Sequence, residues 1–265
     1  MYWRSLVSLC AGVVLGCRTG RNYPDAISPR YTGTATPLAE PSHHDTLRVV
    51  SYNIEFSQEV QRAIRELKNH PSMRQADVLL LHEMTAPAAK TIADSLRMSF
   101  VYYPTIYNKI FRRDVGNAVL SRWPILDDAK LILPAHSRYA KTQRTATAAT
   151  IRFRDQDIRV YSTHLGTAAD LGRAGREEQL GFIMKDAERY PRVVLGGDMN
   201  SADVGTIAEA AGYEWLTKKI DKSNAFGRLD HIFTRGFAPI GAGTVVTPPN
   251  ISDHRPIWLI ATPAR

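Results

Sequence analysis

The chain has 265 residues, of which 44% are hydrophobic, and it carries a formal charge of +8 at pH 7. This length and apolar content exclude a chain too polar to bury a core, and the absence of internal repeats or heptads excludes a repeat protein or long coiled coil. The excess of Lys and Arg favours an anionic partner, such as nucleic acid, a phosphorylated metabolite or a lipid surface.

The first predicted element is an export signal over residues 1–17. Arg4 precedes an apolar stretch, Leu6 to Leu15, that is too short to span a bilayer. The ending "VLGC" resembles a bacterial lipobox, in which Cys17 receives the lipid, and the alternative is a plain signal peptide with an incidental cysteine. We therefore predict an exported lipoprotein anchored to a bacterial membrane, in the periplasm or at the cell surface, and a secreted protein if Cys17 is not lipidated. Because Cys10 also lies in this segment, no disulfide is expected in the mature chain.

Residues 18–46 are rich in Pro, Gly, Ser and Thr and have no apolar period. This composition is typical of a flexible linker. We predict a tether that holds the following domain away from the membrane.

A single α+β domain is predicted over residues 47–263, because short apolar runs alternate there with helical patterns. Helical stripes of apolar residues begin at Val60, Ala89 and Leu180. Many strands with few helices indicate two packed sheets with helices outside. The predicted strands are "LRVVSYNI", "DVLLL", "FVYY", "NAVLS", "TATAATIRF", "IRVYSTH", "RVVLGG", "LDHIF" and "PIWLIA".

Polar residues fall at or near the ends of six of these apolar runs. They are Asn53, Glu83, His164, Asp198, Asp230 with His231, and Asp253 with His254. Each one alone has an ordinary structural explanation as a turn, a helix cap or a satisfied histidine. Asp198 and Asn200, for example, would cap a helix near Ala202 while Gly196 and Gly197 form a tight bend. Six such ends together favour a shared site over independent caps.

If these ends meet, the side chains suit metal-assisted hydrolysis of a phosphoester. The carboxylates of Glu83 and Asp253 and the amide oxygen of Asn53 are hard donors, which suit Mg²⁺, with Mn²⁺ as a substitute. A zinc site is the alternative, but no His or Cys spacing typical of zinc accompanies these residues.

The remaining side chains could supply the base and the hydrogen-bond donors that such a reaction needs. Asp198 is the predicted base that accepts a proton from water, and Asn200 orients the water or the phosphate. His164 and His254 are placed to donate hydrogen bonds to charge that builds on the phosphoryl oxygens. Asp230 is predicted to fix the tautomer of His254 or raise its basicity.

Seven short motifs, in this order, resemble the endonuclease/exonuclease/phosphatase superfamily, which includes deoxyribonuclease I and exonuclease III. The resemblance covers residues 47 to 260. The motifs are "SYNIE", "LLHEM", "GNAVLSRWPI", "STHLG", "GGDMN", "LDHIF" and "SDHRPI".

The resemblance implies a fold, a cofactor and roles for the matched residues. The fold is a four-layer α/β/β/α sandwich of two packed mixed sheets, with a magnesium-dependent phosphoesterase site at one end. Asn53, Glu83 and Asp253 bind metal, Asp198 activates water beside Asn200, His254 pairs with Asp230, and His164 contacts the phosphate. Asn117 and Arg144 match positions that line the phosphate pocket. Two residues depart from the family pattern: His82 stands where Gln is common, and His231 where Tyr is frequent.

The chain lacks motifs that are typical of several related enzymes, which argues against the substrates of those enzymes. Features of inositol 5-phosphatases, of abasic-site endonucleases and of sphingomyelinases with an apolar membrane hairpin are missing. We therefore predict a nuclease-like phosphodiesterase, with nucleic acid among the candidate substrates. We also predict that the protein is a monomer. Cations in "KIFRRDVG" and "RYAKTQR" flank the predicted pocket, either to meet a polyanion or as ordinary surface charge. The competing hypotheses are a lipid phosphodiesterase or phosphomonoesterase of the same fold and an inactive surface binding module.

Overall fold

The computed structural model describes residues 20–36 and 45–264. The predicted signal segment and Cys17 lie outside the described residues, so export and lipid anchoring stay predictions. None of the helices among the described residues combines the length and the apolar composition that a membrane-spanning helix needs.

Within these ranges the chain forms thirteen strands and four α-helices. The strands are β1 (Gly20–Asn22), β2 (Tyr31–Gly33), β3 (Leu47–Asn53), β4 (Val78–Met84), β5 (Ser99–Asn108), β6 (Arg113–Ser121), β7 (Ile125–His136), β8 (Gln143–Phe153), β9 (Gln156–His164), β10 (Val193–Asp198), β11 (Asp230–Arg235), β12 (Phe237–Thr244) and β13 (Ile257–Pro263). The helices are α1 (Val60–Asn69), α2 (Ala86–Leu96), α3 (Ala168–Ala187) and α4 (Thr206–Ala210). Short 3₁₀ turns lie at Glu55–Ser57 and Leu216–Lys219.

The strands form two mixed sheets. The large sheet has eight strands in the order β1-β5-β6-β4-β3-β13-β12, with β2 also paired to β5. The small sheet has five strands in the order β11-β10-β9-β8-β7. Each sheet contains one parallel pair, β3 with β4 and β9 with β10, and the other pairs are antiparallel.

The four predicted layers are confirmed by three apolar clusters. One cluster packs α1 and α2 on the outer face of the large sheet through residues such as Ile64 and Ile92. A second lies between the sheets, where Leu80 and Val160 meet. The third packs α3 and α4 on the small sheet and includes Ile183. Burial on both faces explains why the central strands have continuous apolar sequences.

The two parallel strand pairs determine where the site residues lie. Parallel strands end at the same edge of a sheet, so Asn53 of β3 lies beside β4, and His164 of β9 pairs in register with Asp198 of β10. β11 is antiparallel to β10, which brings its first residue, Asp230, opposite Asp198. The predicted convergence of these strand ends at one end of the sandwich is therefore a property of the strand order.

The predicted tether over residues 18–46 is wrong for residues 20–36, which belong to the folded domain. β1 and β2 each add three residues to the exposed edge of β5. The ammonium of Lys130 on β7 donates to the carbonyl oxygens of Tyr23 (2.6 Å) and Asp25 (3.0 Å). Backbone hydrogen bonds do not require an apolar sequence pattern, so composition did not reveal these strands.

Two further strands, β7 and β12, were also missed. β7 contains Asp127, Asp128 and Pro134, and β12 contains Pro239 and a β-bulge. Both are edge strands, where charge, proline and bulges are tolerated because one side of the strand needs no partner.

Candidate active site

The apolar run "VVLGG" forms most of β10 and brings Asp198 to the site. Both glycines lie within the strand rather than in the bend considered from the sequence. A Cβ atom at Gly197 would lie 1.8 Å from the carbonyl oxygen of Thr163, so glycine is needed for β10 to lie this close to β9. The close approach sets Asp198 beside His164.

A bulge in β4 redirects Glu83. Leu79 and Leu81 face the helices, so strict alternation would send Glu83 to the same side. Instead Glu83 has a left-handed φ of 56°, and the pairing of β4 with β6 is interrupted between Leu81 and Met84. Such bulges re-aim side chains next to active sites. The carboxylate of Glu83 lies 3.7 Å (Oε1) from Nδ1 of His164.

One carboxylate oxygen, Oδ2 of Asp198, is the centre of the site. Asn53 donates to it from Nδ2 at 3.2 Å. The Nε2 atoms of His164 and His254 lie 3.4 Å and 3.6 Å from the same oxygen. Residues that are far apart in sequence thus surround a side chain that is 2% exposed.

His254 and Asp230 form a buried ion pair. Nδ1 of His254 lies 2.7 Å from Oδ2 of Asp230. Burial lowers the pKa of His254, but attraction from Asp230 and Asp198 outweighs burial and raises the pKa to about 10. Burial likewise raises the pKa of Asp230, but the imidazolium outweighs it, and the net pKa is below the usual range. His254 is therefore a cation at neutral pH.

Asp198 and His164, the other two titrating groups at the centre of the site, have shifted pKa values that suit different roles. Burial raises the pKa of Asp198 to about 6, with His254 acting in the opposite direction. This value makes Asp198 a stronger base than an ordinary carboxylate while leaving it mostly ionised near neutral pH. Burial and the charge of Arg144 hold the pKa of His164 well below its usual range, so His164 is neutral.

Acidic groups gather on the Glu83 side of the site. Burial raises the pKa of Glu83 to about 7, and repulsion from Asp198 and Asp253 adds to the shift. Glu55 was not selected from the sequence, although "SYNIE" contains it. Its Oε2 accepts from the backbone N–H of Asp253 at 3.1 Å, and burial, then repulsion from Asp253, raises its pKa. Clustered carboxylates with raised pKa values fit a bound cation, which would relieve the repulsion.

Two groups of side chains compete as metal ligands. Ligand atoms of Asp198, Asp230 and His254 lie within 4.8 Å of one another, close enough to hold a metal ion. A protonated imidazole already compensates the charge of these two carboxylates, and it would have to lose its proton to bind metal. The oxygen donors Glu83, Asp253 and Asn53 need no such change and suit Mg²⁺ better.

Asn200, which lies two residues after Asp198, supports the site. Its backbone N–H donates to Oδ1 of Asp198 at 2.9 Å, and its Nδ2 donates to the carbonyl oxygen of Leu165 at 3.0 Å. Asn200 adopts a left-handed φ of 49°, which asparagine tolerates better than most residues. The residue fixes the Asp198 carboxylate and joins the loops after β9 and β10.

Asn117 and Arg144 differ in how free their side chains are. Nδ2 of Asn117 donates to the carbonyl oxygen of Thr145 at 2.8 Å, which links the two sheets. Arg144 forms no hydrogen bond or ion pair with the described residues. Burial lowers its pKa, and attraction to Glu83 and Asp198 opposes the shift, which places the guanidinium near both carboxylates. Arg144 is thus the better placed of the two for a phosphate.

The two departures from the family pattern are buried and structural. His231 accepts at Nδ1 from the indole N–H of Trp215 (3.1 Å), and its Nε2 lies 2.9 Å from the carbonyl oxygen of Ser201. Both ring nitrogens of His82 are buried and have no hydrogen-bond partner among the described residues. Burial lowers the pKa of both rings to about 4, so both are neutral.

The sequence profile described as "Endonuclease/Exonuclease/phosphatase family" matches residues 50–254, which is more than half of the chain. No curated protein matches the chain.

Solved structures with the same fold have low sequence identity to the chain. One is an endonuclease/exonuclease/phosphatase from Beutenbergia cavernae (17% identity, TM-score 0.68, covering 83% of this chain and 72% of that chain). Another is D. rerio TDP2 complexed with single strand DNA product (16%, 0.66, 82% and 99%). A third is the human Nocturnin catalytic domain with bound sulfate anion (16%, 0.64, 89% and 98%).

Proposed function

Because the chain belongs to the endonuclease/exonuclease/phosphatase family, whose members are phosphoester hydrolases, we propose that it is a Mg²⁺-dependent phosphodiesterase that acts on nucleic acid. One observation carries the proposal: Oδ2 of Asp198 lies within 3.6 Å of side-chain nitrogens of Asn53, His164 and His254. The net positive charge of the chain and the DNA product bound to the D. rerio relative support nucleic acid as the substrate.

Asp198 is the base in this proposal. A water molecule beside Oδ2 transfers its proton to Asp198 while its oxygen forms a bond to phosphorus and the bond to the leaving oxygen breaks. Asn53 and Asn200 hold the carboxylate through hydrogen bonds of 3.2 Å and 2.9 Å, so it does not reorient as the reaction proceeds.

Two cations and a neutral hydrogen-bond donor stabilise the negative charge that develops on the phosphoryl oxygens. The imidazolium of His254, kept protonated by Asp230, and the guanidinium of Arg144 supply positive charge. The neutral ring of His164 has an N–H to donate. A bound divalent cation supplies further charge neutralisation, and Glu83, Asp253 and Asn53 are the residues that would hold it.

At saturating Mg²⁺, where the metal keeps Glu83 ionised, the pH dependence of kcat/KM follows from Asp198 and His254. Activity is expected to fall below a pH of about 6, because protonated Asp198 accepts no proton, and to fall again toward pH 10, because His254 loses its charge. In Asp230→Asn the alkaline fall is expected at lower pH, since the attraction that raises the pKa of His254 is removed. Rate profiles of both proteins from pH 5 to 10 test this, and an alkaline limb that does not move in Asp230→Asn contradicts it.

The function itself is tested by hydrolysis of bis-p-nitrophenyl phosphate with Mg²⁺ and then with a chelator. Metal-dependent release of nitrophenol supports a phosphodiesterase, and its absence at any metal concentration favours the binding module. A panel of plasmid DNA, RNA, sphingomyelin and phosphoinositides then separates nucleic acid from the lipid alternatives. Faster turnover of a lipid than of either nucleic acid would contradict the proposed substrate.

A further inference from the structure

A concave surface opens where β1 meets two loops of the domain. This basic cavity has a volume of about 580 Å³ and is lined by Arg21 and Asn22 of β1, Lys109 of the turn between β5 and β6, and His136, Ala140 and Lys141 around the loop between β7 and β8. No acidic side chain of the described chain lines it. The cavity exists only because residues 20–22 belong to the large sheet.

The three cations of the basic cavity have no carboxylate partner among the described residues. Arg21, Lys109 and Lys141 are exposed, and none forms an ion pair with a carboxylate of the described residues. Cations that the protein does not neutralise leave a positive potential at the surface, which attracts an anionic ligand.

The cations stand on backbone that is held in place. β1 pairs with β5 so that Arg21 lies opposite Tyr107, and the Arg21 guanidinium lies 5.7 Å from the Tyr107 ring centre. The side chain of Asn22 donates to the carbonyl oxygen of Lys141 (3.0 Å) and accepts from the N–H of Gln143 (3.0 Å). Strand pairing and these hydrogen bonds therefore fix the backbone that carries Arg21 and Lys141.

Both loops that line the basic cavity continue into the proposed active site. Arg144, which lies near Glu83 and Asp198, follows Lys141 by three residues, a span of at most about 10 Å in an extended chain. On the other side, Arg113 at the end of the β5–β6 turn donates to the carbonyl oxygen of Phe56 (3.1 Å), whose N–H donates to Oε2 of Glu83 (3.2 Å).

An aromatic pair lies along the same turn. The rings of Phe56 and Phe111 are stacked with centres 4.4 Å apart, and Phe111 is 39% exposed. Exposed aromatic rings next to a cationic groove are typical of surfaces that bind single-stranded nucleic acid, because bases stack on the rings while the groove follows the phosphates.

We propose that the basic cavity binds a backbone phosphate of single-stranded nucleic acid other than the scissile phosphate. The inference rests on the proposed function, since it assumes that the scissile phosphate lies at Asp198. A small phosphodiester would occupy the active site alone, whereas an oligonucleotide would occupy both places.

The test uses the variant Arg21→Gln/Lys109→Gln/Lys141→Gln and a fluorescein-labelled 12-nucleotide single strand, in EDTA so that no hydrolysis occurs. Affinity measured by fluorescence anisotropy is expected to fall about tenfold or more, and the slope of log K against log salt to fall by about 0.7, because one phosphate contact of a single strand contributes about 0.7. The matched control, Arg65→Gln/Lys68→Gln/Lys185→Gln, removes the same charge from exposed positions on α1 and α3. The control is expected to change both values much less.

Turnover gives the second readout. The ratio of kcat/KM for the oligonucleotide to that for bis-p-nitrophenyl phosphate is expected to fall about tenfold in the cavity variant. Equal losses of affinity in the cavity and control variants would overturn the proposal, because net charge alone would explain them. Cavity-dependent binding to phosphatidylglycerol vesicles, with oligonucleotide binding intact, would overturn it in favour of a membrane surface. If the wild type hydrolyses neither substrate, the proposed function fails, while the anisotropy data in EDTA still decide the cavity.

Discussion

Replacing Asp198 by asparagine is expected to lower kcat for bis-p-nitrophenyl phosphate by about 10³-fold, within the range associated with loss of a general base. Asparagine keeps the shape of the side chain and can still accept the N–H of Asn200. It cannot take up the proton of the attacking water. Because burial raises the pKa of Asp198 to about 6, the ionised form is held in the fold at a cost in stability. Removing this cost offsets the loss of the hydrogen bond that Asn53 donates to Oδ2, so the melting temperature of Asp198→Asn is expected to stay close to that of the wild type.

The matched control for this prediction is Asp186→Asn. Asp186 lies on α3 and accepts from the hydroxyl of Tyr161 at 2.7 Å, away from the site. This variant is expected to keep its kcat. Wild-type activity in Asp198→Asn would show that Asp198 is not the base. If Asp198→Asn has a lower melting temperature and an unfolded circular dichroism spectrum, its lost activity says nothing about catalysis. The pH profile of the wild type then decides whether Asp198 is the base.

Replacing Glu83 by glutamine is expected to raise the Mg²⁺ concentration needed for half-maximal activity by about 10-fold to 100-fold. Glutamine keeps an oxygen that can accept the N–H of Phe56 but removes the charge that a hard cation needs. Without metal, the same substitution relieves the repulsion that contributes to the raised pKa of Glu83, so the metal-free protein should be at least as stable as the wild type. Mg²⁺ titrations of activity and of melting temperature check both parts.

The control for Glu83→Gln is Glu177→Gln. Glu177 accepts from Arg173 at 2.7 Å one helical turn away on α3, and losing this pair should change neither titration. The wild type should gain melting temperature with added Mg²⁺, and Glu83→Gln should gain much less. Identical titration midpoints in wild type and Glu83→Gln would show that Glu83 does not hold the metal.

The central strands could be predicted because their sequences meet two physical demands at once. A strand covered on both faces must be apolar throughout, as "DVLLL" and "RVVLGG" are, and a strand that ends at a functional edge must then present polar groups. The grouping of Asn53, Glu83, His164, Asp198 and Asp230 followed from this pattern. The distances between them did not, because they depend on strand order.

Edge strands and local backbone changes could not be predicted in this way. β1 and β2 join the large sheet by main-chain hydrogen bonds that almost any residue can form, and β7 tolerates charge and proline at the edge of the small sheet. The left-handed φ of Glu83 reverses the side that alternation assigns to it. Glu55 was overlooked because it follows the end of β3, where an acidic residue commonly belongs to a turn.

Anomalous diffraction from crystals grown with Mn²⁺ can show whether the strand ends assemble one cation site beside Asp198. We expect an anomalous peak in contact with the Glu83 carboxylate, on the side of the site where Asp253 and Glu55 lie. A peak between Asp198, Asp230 and His254 instead, or no peak within the site at saturating Mn²⁺, would contradict it.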